Sequence, residues 1–135
     1  MNSLENVKIK IISFGFKYGL PEDVHFMQDV RFLPNPYYIP ELKSKSGIDQ
    51  EVSSYVLSAD VTKEYLKRLC SFLDFYIHEY ILSGKEELVI AIGCTGGRHR
   101  SVTVACQLYS YVLSLGYNAL LEHRDISKDN LMADK

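Results

Sequence analysis

The spacing of hydrophobic residues changes several times along the chain, and each spacing predicts one kind of element. Apolar residues recur every three or four positions over 60–82 and 101–115, which predicts two amphipathic helices. Short segments that are apolar or lie between turn residues predict four strands, at 7–14, 25–32, 88–92 and 117–123. Three prolines predict an extended loop after the second strand, and 43–47 continues it as an exposed, linker-like segment.

This order of elements predicts the fold class. Strands that alternate with helices favour an α/β domain, here a single layered domain with a mixed or mostly parallel sheet of about four strands flanked by helices. The domain is expected to span residues 1–135. Polar residues from Asp125 onward predict a frayed tail, with 126–135 as its flexible part.

Composition narrows the classes of function. The chain has 135 residues, 47% of them hydrophobic, and a formal charge of -2, which predicts a soluble globular domain and excludes a globally basic nucleic-acid binder. Three cysteines without a CxxC pair predict neither a disulfide framework nor a zinc site, so we expect no metal, no cofactor and a cytoplasmic location. No apolar segment approaches the roughly 20 residues of a bilayer span, so we expect no membrane partner.

The segment Gly93–Ser101 combines several groups that bind phosphate, at a predicted turn from strand to helix. Glycines at 93, 96 and 97 allow close backbone approach, and a helix N-terminus attracts anions. The charged residues and hydroxyls that follow strengthen this prediction: Arg98, His99, Arg100, Thr95 and Ser101. The Gly-Lys-Ser/Thr ending of a Walker A loop is missing. We therefore predict a phosphate site that is not of the Walker type.

Cys94 leaves an enzymatic alternative open. Five residues separate it from Arg100, and this C-x5-R-S spacing resembles the signature of cysteine-dependent phosphatases. A helix N-terminus with nearby cations lowers a thiol pKa, as a thiolate nucleophile requires. The residue before the cysteine is Gly93 where that family usually has histidine, and only Asp29 or Asp23 offers itself as general acid.

His123-Arg124-Asp125 with Asn130 matches the catalytic loop of protein kinases, but the chain lacks the other kinase motifs. His123 and Arg124 then have two open interpretations. They face the same anion, or they are exposed residues at the end of a strand.

Four motifs together resemble the C-terminal domain of the RapZ/YvcJ family: 13–19, 29–38, 93–101 and 123–125. The resemblance covers roughly residues 7 to 125. It implies an α/β fold likened to a phosphofructokinase subdomain, and an association with homo-oligomers. It also implies an RNase adapter that binds small regulatory RNA, presents it to an endoribonuclease, and senses glucosamine-6-phosphate.

By this resemblance, three groups of residues form one pocket. The first group holds the phosphate: Thr95, Gly96, Gly97, His99 and Arg100, with Cys94 lining the pocket. Asp29, Arg31 and Asn35 face the hydroxyls and amine of a sugar. Lys17, His123 and Arg124 add basic surface for phosphate or RNA.

The chain departs from the family pattern in two features, which bear on nucleotide binding and on RNA binding. The N-terminal P-loop domain that family members usually carry is absent from the 135 residues, so these residues would not carry a nucleotide site of that kind. The segment 127–135 has as many acids as bases instead of a basic tail, which predicts weak RNA binding. We expect a non-catalytic sensor, with a Cys94 phosphatase or an assembly module as alternatives.

Overall fold

Four strands form one sheet in the computed structural model, which describes residues 7–128. They are β1 (Lys8–Gly15), β2 (Phe26–Asp29), β3 (Glu87–Cys94) and β4 (Ala119–His123). Their order in the sheet is β2-β3-β1-β4, and every pair is parallel. The two central strands, β1 and β3, carry the continuous apolar runs that a sheet interior requires. The predicted α/β class with a mostly parallel sheet of four strands is therefore confirmed.

Three helices accompany the sheet: α1 (Gln50–Leu57), α2 (Asp60–Leu82) and α3 (Arg100–Ser114). The last two confirm the periodicity prediction to within one residue. Their apolar stripes enter one core with β1 and β3, through Leu69, Leu73, Ile77 and Ile81 of α2 and Val104, Ala105, Leu108 and Val112 of α3. Gly84 and Gly116 follow these helices with φ near +90°, a conformation that glycine adopts without strain.

Sequence reasoning missed α1. This helix has eight residues and buries only Val52 and Val56, so its apolar signal is a single i, i+4 pair. Valine and serine are also weak helix formers. The helix is stabilised by packing, since Val56 joins the main core.

The second face of the sheet carries a smaller cluster to which none of the three helices contributes. Ile12, Phe14 and Ala91 are buried there under Phe16 and Val24 of the connection between β1 and β2. Within residues 7–128, no helix has both the length and the apolar character that a membrane span requires.

One predicted strand and one predicted loop differ from expectation. The second strand ends at Asp29 instead of residue 32, because the Asp29 carboxylate accepts the backbone N–H of Arg31 and turns the chain. The segment 43–47 is not a free linker. Gly47 is buried so closely against the carbonyl of His99 that a Cβ would overlap it.

The predicted tail also begins too early. Asp125 is completely buried, and the carbonyl of Ile126 accepts a hydrogen bond from Arg98. The remainder of the predicted tail, from residue 129 onward, lies outside the described residues.

Candidate functional site

The carboxyl ends of all four strands meet at one edge of the sheet. Three residue pairs in register mark this edge: Gly15 with Cys94, Ser13 with His123, and Asp29 with Gly93. From β1 the chain runs towards β2 at one side of the sheet, whereas from β3 it runs through α3 towards β4 at the other side. Open α/β sheets bind their ligands where neighbouring connections diverge in this way.

The glycine-rich turn packs directly on the end of β1. A Cβ at Gly97, where φ is +75°, would lie 2.5 Å from the backbone nitrogen of Gly15. A Cβ at Gly15 would overlap the backbone of Gly96 in return, and Lys17 N–H bonds the carbonyl of Thr95 at 3.2 Å. From the sequence, we expected these glycines to allow close approach of a ligand. In the structure Gly97 and Gly15 permit contact between two backbones, and Gly93 makes room for the rings of Phe14 and Phe16.

Arg98 joins the turn to two distant loops. Its guanidinium donates to the carbonyls of Ser44 and Ile126, both at 2.6 Å. His99, which is fully buried, bonds the carbonyl of Lys45 through Nε2 at 2.6 Å. The backbone N–H of Gly47 completes the clamp by donating to the carbonyl of Arg98 at 2.8 Å. The segment 44–47 therefore fixes the position of the turn through hydrogen bonds. No local sequence pattern indicates this role.

Arg100 connects the turn to the residues after β2. It is 3% exposed and donates to the carbonyls of Arg31 at 2.6 Å and Leu33 at 3.3 Å. The second wall that the resemblance implied thus lies against the glycine-rich turn. Asn35 caps a short 3₁₀ turn in this wall, because its side chain accepts the N–H of Tyr37.

Asp29 and Arg31 form an ion pair on the surface of this wall. The guanidinium donates from Nε and Nη2 to the two carboxylate oxygens at 2.9 and 2.7 Å, while its Cζ atom lies 4.0 Å from the ring centre of Phe16. The hydrogen bonds from Arg31 lower the pKa of Asp29, so the carboxylate is charged at neutral pH. Both side chains are 47% exposed and accessible to a ligand.

Cys94 lies beneath the turn. It is fully buried, its thiol lies 3.1 Å from the hydroxyl of Ser101, and its sulfur accepts the Ser101 N–H at 3.3 Å. Asp29, one of the two aspartates considered as general acid, is paired with Arg31. The other, Asp23, is an exposed residue of the β1–β2 connection. These positions give the phosphatase alternative no support.

At the end of β4, Arg124 and Asp125 form a second arginine–aspartate pair. Asp125 accepts bonds from Arg124 Nη2 at 2.8 Å, Gly15 N–H at 2.8 Å and Lys128 Nζ at 2.7 Å. Burial alone would raise the pKa of Asp125, but the donors from Arg124, Gly15 and Lys128 outweigh it and hold the pKa below its usual value. The sequence analysis missed this role because it assigned Asp125 to the tail.

The remaining basic residues have mixed environments. Lys17 is exposed, with its ammonium 5.3 Å from the ring centre of Tyr18. His123 is half-buried, with Nδ1 2.6 Å from the hydroxyl of Ser13. Across residues 7–128, no three His, Cys, Asp or Glu side chains come together as a metal site would require.

The fold and this edge define a class: α/β domains that bind ligands at the carboxyl ends of parallel strands, beside a helix N-terminus. Within that class, the chain belongs to the family of the RapZ C-terminal domain, whose model matches residues 7–127.

Close relatives carry the name nucleotide-binding protein. The one from Caldicellulosiruptor saccharolyticus is 55% identical over 127 residues, which is 94% of this chain and 43% of the relative. The one from Clostridium perfringens is 51% identical over 131 residues, or 97% of this chain and 45% of the relative. A further relative from Clostridium novyi is 55% identical over 121 residues. The chain thus spans less than half the length of these curated relatives.

Proposed function

We propose that this domain is a regulatory sensor that binds an amino-sugar phosphate, such as glucosamine-6-phosphate, beside the turn between β3 and α3. One observation carries the proposal: the exposed Asp29–Arg31 ion pair lies next to the glycine-rich turn, and Arg100 joins the two through the Arg31 carbonyl. The site thus offers an anion and a cation side by side to a ligand that itself bears both charges.

The turn supports the phosphate half of the proposal. It leads directly into α3, a helix of 15 residues whose first turn contains no acidic side chain. The positive end of the helix dipole is therefore not neutralised by a carboxylate of its own first turn, and it favours an anion there. The half-buried Thr95 offers a hydroxyl at this position.

The ion pair supports the choice of an amino sugar. An ammonium group on the ligand can take the place of the Arg31 guanidinium at Asp29, and Arg31 can then reach the phosphate. Such an exchange costs little, because the pair is exposed and surface ion pairs contribute at most about 1 kcal/mol. A sugar phosphate without the amine would leave Asp29 facing an anion, which is unfavourable.

The remaining predicted ligand residues divide by whether their side chains are already packed or bonded within the fold. Cys94, His99, Arg100 and Ser101 are buried, and Arg98 is bonded to two carbonyls. We propose that these five shape the turn, while Thr95, Gly96 and Gly97 present its backbone to the phosphate. Asn35, Lys17, His123 and Arg124 border the site.

A role as RNase adapter, with small RNA and an endoribonuclease as partners, is a further proposal that rests on family membership. RNA affinity depends mainly on lysine and arginine contacts to phosphates, and the formal charge here is -2. We therefore expect weak RNA binding by this domain alone. A homo-oligomer is proposed on the same basis.

Calorimetric titration tests the ligand. We expect glucosamine-6-phosphate to bind at least about tenfold more tightly than glucose-6-phosphate, a difference of about 1.4 kcal/mol. Asp29→Asn should remove this discrimination, and Arg31→Ala should weaken both ligands. Arg68→Ala is the matched control, because Arg68 also forms an exposed ion pair, with Glu64 on α2.

Two results would contradict the proposal. If none of glucosamine-6-phosphate, glucose-6-phosphate and inorganic phosphate binds, the turn is not a phosphate site. If the two sugars bind equally and Asp29→Asn changes neither, the turn binds phosphate but the amine has no role.

A further inference from the structure

Cys106, which has no part in the proposed phosphate site, belongs to a cluster with His123 at the border of that site. This cysteine of α3 has its sulfur 3.6 Å from Nε2 of His123, the last residue of β4. The other ring nitrogen, Nδ1, lies 2.6 Å from the hydroxyl of Ser13, a buried residue of β1. Three elements thus align a thiol, an imidazole and a hydroxyl. This is the order of nucleophile, base and orienting group found in nucleophilic sites.

We propose that Cys106 is a thiol modification site at which His123 accepts the thiol proton while the sulfur attacks a peroxide. A sulfur–oxygen bond forms and the oxygen–oxygen bond breaks. The sulfur is oxidised by two electrons, and the departing hydroxide takes the proton from Nε2 to become water. One thiol and one molecule of hydrogen peroxide thus yield Cys106 sulfenic acid and water.

The protonation states fit this chemistry. Burial lowers the pKa of His123, so the ring is neutral at neutral pH and can act as a base. Burial raises the pKa of the Cys106 thiol, so the thiol keeps its proton at rest and depends on a base to react. We assign the ring proton to Nδ1, which donates to Ser13, so that the Nε2 lone pair faces the thiol. The charged neighbours of His123 are engaged elsewhere, Glu122 with Lys10 and Arg124 with Asp125.

The chain contains its own matched control. Cys70 of α2 is also half-buried in a helix, and burial also raises its thiol pKa, but no described histidine contacts it. Cys94 is fully buried under the turn. Because both thiols are partly exposed, a difference in reactivity between Cys106 and Cys70 reports mainly on His123.

The experiment treats the reduced protein with hydrogen peroxide in the presence of dimedone, and peptide mass spectrometry follows the adduct at each cysteine. We expect the Cys106 adduct to form at least about tenfold faster than that of Cys70, as is typical for a positioned base. His123→Gln, which keeps a polar side chain but removes the base, should lower the Cys106 rate to that of Cys70. The Cys70 rate should not change.

Equal rates at Cys106 and Cys70 in the folded protein would overturn the proposal, as would an unchanged ratio in His123→Gln. Because the His123→Gln variant could fail to fold, the same ratio is also measured on the unaltered protein in urea. In urea the cluster is lost, so the ratio of the two rates should fall to about one. If the ratio persists in urea, the faster reaction of Cys106 is due to its local sequence and the proposal is wrong.

Discussion

Two arginine–aspartate pairs stand at opposite edges of the sheet, each at the carboxyl end of an edge strand. Asp29 ends β2 and pairs with Arg31, two residues further on, with 47% of both side chains exposed, whereas Asp125, which follows β4, is completely buried beside Arg124. Both aspartates have a lowered pKa, the first through its hydrogen bonds to Arg31 and the second because three donors outweigh burial.

Burial decides what each pair can do. The Arg124–Asp125 pair also binds Gly15 and Lys128, so its carboxylate joins the end of β1 to the residues after β4. Releasing it would leave an uncompensated charge in the interior. The Arg31–Asp29 pair is solvated by water, so the proposed exchange of partners with a ligand would cost little. The same two residue types thus stabilise the fold at one edge and are available for binding at the other.

Asp125→Asn is the substitution expected to show the largest difference in stability between the buried pair and the exposed pair. It should lower the free energy of unfolding by about 3 kcal/mol, because the amide no longer satisfies Arg124, Lys128 and the Gly15 N–H together. Urea denaturation followed by circular dichroism measures this. A loss under about 1 kcal/mol would show that the buried pair is not structural.

The pH dependence of stability provides a second way to distinguish the buried Arg124–Asp125 pair. Because the folded pKa of Asp125 is lower than the usual value near 3.8, its charge stabilises the fold above that pH. This contribution should be lost as pH falls from about 4 through the folded pKa. Denaturation curves for Asp125→Asn should therefore depend less on pH over this range than those of the unaltered protein. Parallel curves for the two proteins would contradict the assignment.

Asp29→Asn should have the smallest effect on folding. We expect a change in the free energy of unfolding below about 1 kcal/mol, since the pair it breaks is exposed. The same denaturation assay measures it, and Glu64→Gln, which breaks the exposed pair with Arg68, is the matched control. A loss as large as that of Asp125→Asn would mean that both pairs are structural, and Asp29 would lose its place in the proposed ligand exchange.

Local sequence patterns predicted an element well where the element repeats the same pattern of apolar residues many times. The 23 residues of α2 and the continuous apolar run of β3 were predicted nearly to their ends, because each repeats its signal several times. The two-turn α1 was missed because it repeats its signal once. The end of β2 was placed three residues late because one side chain, Asp29, turns the chain.

The features of the candidate site also differ in whether the local sequence indicates them. The glycine-rich turn and its place between a strand and a helix were visible in the sequence, whereas the choice of Asp29 and Arg31 as neighbours of that turn came from the family resemblance. The burial of Arg100, the clamp made by 44–47 and the cluster around His123 were not visible. Each includes a contact between residues 54 or more positions apart.

The α/β class, the long helices, the turn at Gly93–Ser101 and the resemblance to the RapZ C-terminal domain can all be predicted from the amino-acid sequence. These features depend on local periodicity and on contiguous motifs. Which charges are buried and which remain exposed depends on the tertiary contacts. Asp125 bonds Gly15 across 110 residues, and that contact exists only once the parallel strands bring their carboxyl ends to one edge.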